Sequence, residues 1–261
     1  MTENKPEEWL NYEDFAAGID TNRLPRTDAL VGQKLAIALG NGRGFTLRFE
    51  AGDAVVAAEN GASAREWCEV VLTAPDTYFI DLTFAARATE AETLIINTAT
   101  RRVLSIRCRI RPAGEAPGEP RVAQDWVAGR LEGGELTGAT PAPTRDLVGL
   151  RAFYTYSPNH VYEHTYLSSE RYGWQNLRGV QRGHGDTDLA TTFKFAENQY
   201  VFGFREFIIP VASVFFYNFD ALRSTGKFLG ETAEGAAQNS PAGAHIQKAS
   251  MTYYPAGLEP V

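Results

Sequence analysis

Ala74–Phe84 reads APDTYFIDLTF, and 122 positions further on Ala196–Glu206 reads AENQYVFGFRE. Each stretch is a polar turn followed by alternating apolar and other residues, the period-two signature of a half-buried strand. Two more echoes flank this pair. Leu30-Val31-Gly32 returns as Leu147-Val148-Gly149 at a spacing of 117, and NTATRR from Asn97 returns as NFDALR from Asn218 at a spacing of 121. Repeats this long describe a duplicated domain rather than a solenoid, and 261 residues then divide into two units, each large enough to bury a core.

Outward from these stretches the same grammar continues, with short alternating runs separated by Gly, Asn, Asp and Pro turns. Strands are predicted at 33–39, 44–50, 54–59, 67–73, 77–86, 92–98, 102–111 and 122–131. In the second unit they fall at 150–157, 160–167, 171–177, 189–195, 199–207, 212–219 and 224–229, with a last one at 245–254 after a Gly/Ala-rich loop at 233–244. Residues 1–28 read as a lead-in segment with a short helix around Glu7 to Ala17. The first barrel is placed at 29–139, the linker at TPAPT (140–144) and the second barrel at 145–261. Eight short antiparallel strands per unit and no long amphipathic helix predict an all-β protein of two tandem lipocalin/calycin-like antiparallel β-barrels from an internal duplication. A pair of β-sandwiches fits the alternation equally, because alternation does not distinguish a closed sheet from two packed ones.

Bulk properties narrow the partners. A net charge of −7 argues against nucleic acid and against an anionic membrane surface, both of which need clustered Lys and Arg. Arg107, Arg109 and Arg111 alternate along one strand and read as a solvated face. The segment MTENKPEEWLNYEDF has neither a basic nor an apolar targeting region, no run approaches a membrane span, and a cytoplasmic location is expected. Cys68 and Cys108, without a CxxC or flanking His, read as buried reduced thiols. The sequence has no GxGxxG, P-loop, GxSxG or HExxH, and HxDxD at 184–188 is too weak a pattern for a metal, so neither cofactor nor metal is expected. A homodimer is compatible with this organisation.

The duplication also serves as an internal control on which strand face points inward. Ile37 and Leu39 fall opposite Tyr154 and Tyr156, Leu47 opposite His164, and Phe84 opposite Glu206. Where copy one is apolar, copy two carries hydroxyls, an imidazole and a carboxyl. Strand parity places Tyr200, Phe202, Phe204 and Glu206 on one inner face, and Tyr162, His164 and Tyr166 on another. The inner face of copy one, Ile37 to Leu39, Phe45 to Phe49 and Tyr78 to Phe84, predicts a filled and structural core. An inward carboxylate among aromatic rings costs several kcal/mol unless paired or protonated, the environment in which acid/base groups arise. Glu206 is therefore the candidate proton-transfer group, with Tyr154 and Tyr156 as hydrogen-bond donors. Tyr162, His164, Tyr166, Tyr200, Phe202 and Phe204 would line the ligand. Arg182 and His184, in the loop RGVQRGHGDTD, would clamp an anionic group at the mouth.

The whole chain resembles the MoaF family, two-domain proteins named after molybdenum cofactor biosynthesis. TNRLPRTDALVG at 21–32 looks like the N-terminal domain, and YTYSPNHVYEHTYL at 154–167, DTD at 186–188 and FREFIIP at 204–210 look like the C-terminal one. The resemblance implies a calycin-like fold and does not supply a reaction. The second half is also similar to phenolic acid decarboxylases, cofactor-free β-barrel lyases. Tyr154-Thr155-Tyr156 matches their tyrosine pair, Tyr162 a following tyrosine, and Glu206 their glutamate. Their arginine falls on Gly183, with Arg182 one residue away, and their neighbouring tryptophan falls on His184.

Two functions are therefore expected in competition. One is a cofactor-independent lyase, isomerase or cyclase acting on a small conjugated or aromatic molecule. The other is a non-catalytic calycin-like binding or accessory protein linked to molybdenum cofactor biosynthesis.

Overall fold

The computed structural model describes residues 9–59 and 61–261. Strands β1 (Lys34–Leu39), β2 (Gly44–Glu50), β3 (Ala54–Glu59), β4 (Ala62–Ala74), β5 (Thr77–Phe84), β6 (Arg87–Asn97), β7 (Arg102–Ile110) and β8 (Val122–Leu131) form one closed barrel in sequence order. It shuts where β1 meets β8 antiparallel, with Ile37 opposite Leu131. A two-residue strand, β9 (Ala142–Pro143), lies in the connection. The second barrel comprises β10 (Leu150–Ser157), β11 (His160–Tyr166), β12 (Arg171–Arg178), β13 (Gly185–Ala196), β14 (Gln199–Arg205), β15 (Val211–Asn218), β16 (Arg223–Glu231) and β17 (Ala237–Met251). Each strand pairs with the next, and β10 closes on β17. Both units are thus closed eight-stranded up-and-down barrels, which leaves no unpaired edge.

The repeated sequences fold into repeated turns. Gly32 and Gly149 both have positive φ, 81° and 91°. The turns around them carry matching bonds: Gly32 N–H donates to Phe49 O and Gly149 N–H to Tyr166 O, again 117 residues apart. A Cβ on Gly149 would come within 2.3 Å of Thr252 O, so both the dihedral and the space require glycine there. Asp76 and Asn198 each adopt φ 55°, and each follows a register shift in the preceding strand. The Asn97 carboxamide accepts the Thr100 N–H at 2.7 Å, and that of Asn218 accepts the Ala221 N–H at 3.0 Å. Asn218 also accepts the Asp220 N–H, so Asn218→Ala should cost about 1–2 kcal/mol through the two orphaned amides. Urea unfolding of the variant checks this, and an unchanged midpoint would show the turn to be held by its backbone alone.

The strand reading departs from the structure at four similar places. Residues 62–66, 87–91, 185–188 and 237–244 fall outside the predicted runs, yet they extend β4, β6, β13 and β17 because a neighbouring strand pairs with them. Pro241 is tolerated in β17 because residues 237–244 pair only with β16, while β10 begins its pairing at His245. Only Tyr12–Ala16 forms the α-helix α1 in the lead-in; Glu7 and Glu8 of the predicted helix lie outside the described residues.

The chain resolves into two compact units, one of residues 24–109 and 124–142, the other of residues up to Arg23, 110–123 and 143–261. In the second, the lead-in contributes Tyr12, Phe15 and Ile19 to the barrel core. The Tyr12 hydroxyl donates to Phe228 O at 3.1 Å, and the Asn22 carboxamide donates to Thr155 O at 3.0 Å. In the first barrel Ile37, Leu39, Phe45, Leu47, Phe49, Ile80, Leu82 and Phe84 are buried as expected. The lumen is nevertheless not filled along its length: Glu59, Glu66, Phe45 and Phe84 line a cavity of about 370 Å3. Arg107 is not solvated: its side chain is 19% exposed and paired with Glu92 and Glu59. Cys68 and Cys108 are buried thiols. No helix among the described residues is long and apolar enough to cross a membrane.

Candidate functional site

Inside the second barrel, alternation on β10, β11, β12 and β14 delivers aromatic rings to one lumen. Tyr156, Tyr162, His164, Tyr172, Trp174, Gln181, Phe204, Glu206 and Phe228 surround a cavity whose remaining walls are Phe15 and Ile19 from the lead-in. Its volume is about 30 Å3, room for about one or two waters. The aromatic packing is tilted and stacked, with the Tyr154 ring 4.3 Å from the His164 ring and the Tyr172 ring 5.2 Å from that of Phe204.

Glu206 follows the end of β14, its N–H held by Val211 O, and Pro210 does not turn it away from the lumen. Its Oε2 is buried without a hydrogen-bond partner. Burial first, then the negative charges of Asp188 and Asp186, hold this carboxyl well above the usual carboxylate range. Leu189 pairs with Arg205 and Ala190 with Phe204, which makes Asp188 and Glu206 the next cross-strand neighbours. Asp188 is 1% exposed; its Oδ2 accepts the Trp174 indole N–H at 2.9 Å, and its Oδ1 is unpartnered. Burial, against the Trp174 bond and reinforced by Asp186, pushes the Asp188 carboxyl up to about 7. Two such neighbours in an apolar wall do not both ionise readily, so the pair retains a proton at neutral pH.

His164 is held neutral, pushed down to about 3 by burial, with Nδ1 lacking a partner. Burial raises the Tyr156 hydroxyl well above its ordinary value, which keeps it a donor. Tyr162 donates to Gln181 Oε1 at 2.8 Å. Behind this layer, the Tyr154 and Tyr166 hydroxyls lie 2.7 Å apart and Tyr166 donates to Tyr217 at 3.2 Å, a buried chain occupied with itself.

The sequence-derived set therefore divides. Tyr156, Tyr162, His164, Phe204 and Glu206 meet at the cavity, whereas Tyr154, Tyr166 and Phe202 form the layer behind it. Tyr200 lies elsewhere in the barrel, donating to Asp146 Oδ2 at 3.0 Å and packing on Phe219. Arg182 is exposed and absent from the lining, and His184 stacks on Trp9 at 6.0 Å. Among the described residues no cation lines the cavity. Sequence reasoning missed Tyr172, Trp174, Gln181, Asp188 and Phe228, and it missed the lead-in residues that close the top. Among the described residues no group of three or more His, Cys, Asp or Glu is arranged to hold a metal ion.

Comparison with known proteins matches residues 7–112 to the MoaF N-terminal domain and residues 141–252 to the MoaF C-terminal domain. Protein MoaF of Klebsiella aerogenes is 34% identical over 188 residues, 68% of this chain and 72% of that protein. A solved structure from Burkholderia vietnamiensis, described as a "putative beta-lactamase", matches 41% of this chain and all of its own. At 13% identity and a TM-score of 0.36 it carries no argument. Both domains are matched in order and a named relative aligns over most of its length: the chain belongs to the MoaF family.

Proposed function

We propose that the second barrel is a cofactor-independent acid/base site for a small, neutral, conjugated or aromatic molecule, with Glu206 as the proton donor. The observation that carries the reading is the Glu206 carboxyl, its Oε2 buried and unpaired at a cavity walled by aromatic rings, where burial favours the protonated form. Tyr156 would donate a hydrogen bond to a developing oxyanion while Asp188 receives or restores the proton, a division of labour between two carboxyls in unlike surroundings. The groups that line it among the described residues, hydroxyls, a carboxyl, an imidazole and aromatic rings, suit a neutral carbonyl or enol substrate. A carboxylate would sit uncompensated beside two acids, so isomerisation or elimination fits better than decarboxylation.

A ligand of aromatic size does not fit in about 30 Å3, and its entry requires Phe15 and Ile19 to withdraw. That closure is what favours the second reading, a calycin-like carrier or accessory protein of molybdenum cofactor metabolism, which the family name suggests. The two separate in one experiment. Neutral conjugated carbonyl compounds are incubated with wild type and with Glu206→Gln, and the small molecules are weighed by mass spectrometry before and after. Conversion by wild type alone supports the enzyme; equal rates remove Glu206 from the chemistry; saturable binding without any mass or isomer change leaves the carrier.

A further inference from the structure

At the same offset of 122 that relates Phe84 to Glu206, Glu59 corresponds to Gln181 and Glu66 to Asp188; at 117, Phe45 corresponds to Tyr162. Phe45, Glu59, Glu66 and Phe84 all line the 370 Å3 cavity of the first barrel. Three of the four corresponding positions, Tyr162, Gln181 and Glu206, line the cavity of the second barrel, and the fourth, Asp188, is the cross-strand neighbour of Glu206. The 370 Å3 volume of the first barrel's cavity falls in the range, about 300–1,000 Å3, of pockets that hold small molecules.

The chemistry of its wall is specific. Glu59 is neutralised by Arg43 at 3.3 Å, Arg107 at 3.0 Å and Arg87 at 3.3 Å. Those arginines are also laid on rings, Arg87 4.2 Å above Phe84 and Arg43 5.4 Å above Phe45. Glu92, fully buried beneath them, is held by Arg107 at 2.6 Å, by Arg43 at 3.0 Å and by the Ser105 hydroxyl. The cations are therefore already committed to carboxylates. Glu66 has none: it is 8% exposed, and one oxygen accepts the Ala85 N–H at 2.8 Å. Glu66 lines the cavity, and its other oxygen remains accessible there rather than sealed in the wall. A carboxylate at the wall of a largely apolar cavity pairs most favourably with a cation or with strong N–H donors.

We propose that the open end of the first barrel is a second small-molecule site, distinct from that of the second barrel. It takes a planar aromatic or heteroaromatic ligand that bears an amidine or amino group. The N–H donors pair with Glu66, and the ring lies against Phe45, Phe84 and the alanines of β3 and β4. Specificity follows from charge: an anionic ring of the same shape meets Glu66 and no uncommitted arginine.

The probe is 4-aminobenzamidine, followed by its fluorescence and by calorimetry on the full chain, with 4-aminobenzoate as the isosteric anion. Saturable binding of the amidine is expected, at least tenfold weaker in Glu66→Gln. It should be abolished in Ala64→Trp, which fills the cavity from an exposed strand position, and unchanged in Glu206→Gln. Thermal unfolding verifies that the variants are folded. The proposal is overturned by lack of saturation in wild type, by unaltered affinity in folded Glu66→Gln and Ala64→Trp, by equal binding of the benzoate, or by loss of binding in Glu206→Gln.

Discussion

Asp188→Asn is expected to be more stable than wild type at pH 8 by up to about 4 kcal/mol and to match it at pH 4. The folded protein keeps a proton on Asp188 up to about pH 7, whereas the unfolded chain releases it near 4. Between those values the folded state binds more protons, so the wild type loses stability as pH rises and recovers none above. Asparagine retains an oxygen to accept the Trp174 N–H and has no proton to lose, so it escapes that decline. Urea titrations from pH 4 to pH 9 should show the two stabilities diverging through pH 5–7. Parallel curves would mean that solvent reaches Asp188 and that the carboxyl pair is not a closed system. Glu206→Gln should diverge from wild type in the same sense, since burial also raises its carboxyl.

The second large effect is in rate. If Glu206 donates the proton, Glu206→Gln should lower kcat by about 10²–10⁴-fold on any converted substrate, the usual worth of a positioned general acid. The reactive form is the protonated one, so wild-type turnover should fall as pH rises through the elevated Glu206 pKa. A rate that instead climbs with pH would assign Glu206 as a base and reverse the direction of proton flow. The two predictions also oppose each other usefully. A variant that becomes more stable at alkaline pH while losing activity marks a group whose strain is maintained for chemistry rather than for folding.

Much of the architecture was legible because each repeat supplies its own punctuation. The Gly32/Gly149 turns, the Asp76/Asn198 left-handed residues and the Asn97/Asn218 side-chain bonds are written in local sequence, and the strands between them follow from alternation. The parts of β4, β6, β13 and β17 that escaped are strands by partnership rather than by pattern. For the site, comparing the copies located Tyr156, Tyr162, His164 and Glu206 because these differ in kind from Ile or Leu and Phe. The same comparison is blind to what the copies share. Asp188 answers to Glu66 and Gln181 to Glu59, polar opposite polar, so neither stood out although both are buried beside the cavities. Tyr154 shows the other limit: parity places a side chain in a lumen, but it does not say whether its hydroxyl is already spent on Tyr166. Arg182 was legible only as a charge in a loop, and loop geometry has no periodicity to read.

Tyr12, Phe15 and Ile19 belong to the core that β16 completes, and the Tyr12 hydroxyl bonds a carbonyl 216 residues away. On the ribosome these two parts of one interior emerge far apart in time, with a complete barrel made between them. The early segment must wait, unburied, until the last strands arrive. Closing so long a loop is entropically slow, and assembly of the second barrel should be the rate-limiting event in maturation. A refolding experiment would then show the first barrel's signals returning before Trp9 and Trp174 meet at 5.9 Å, which gives tryptophan fluorescence as a clock for the final step.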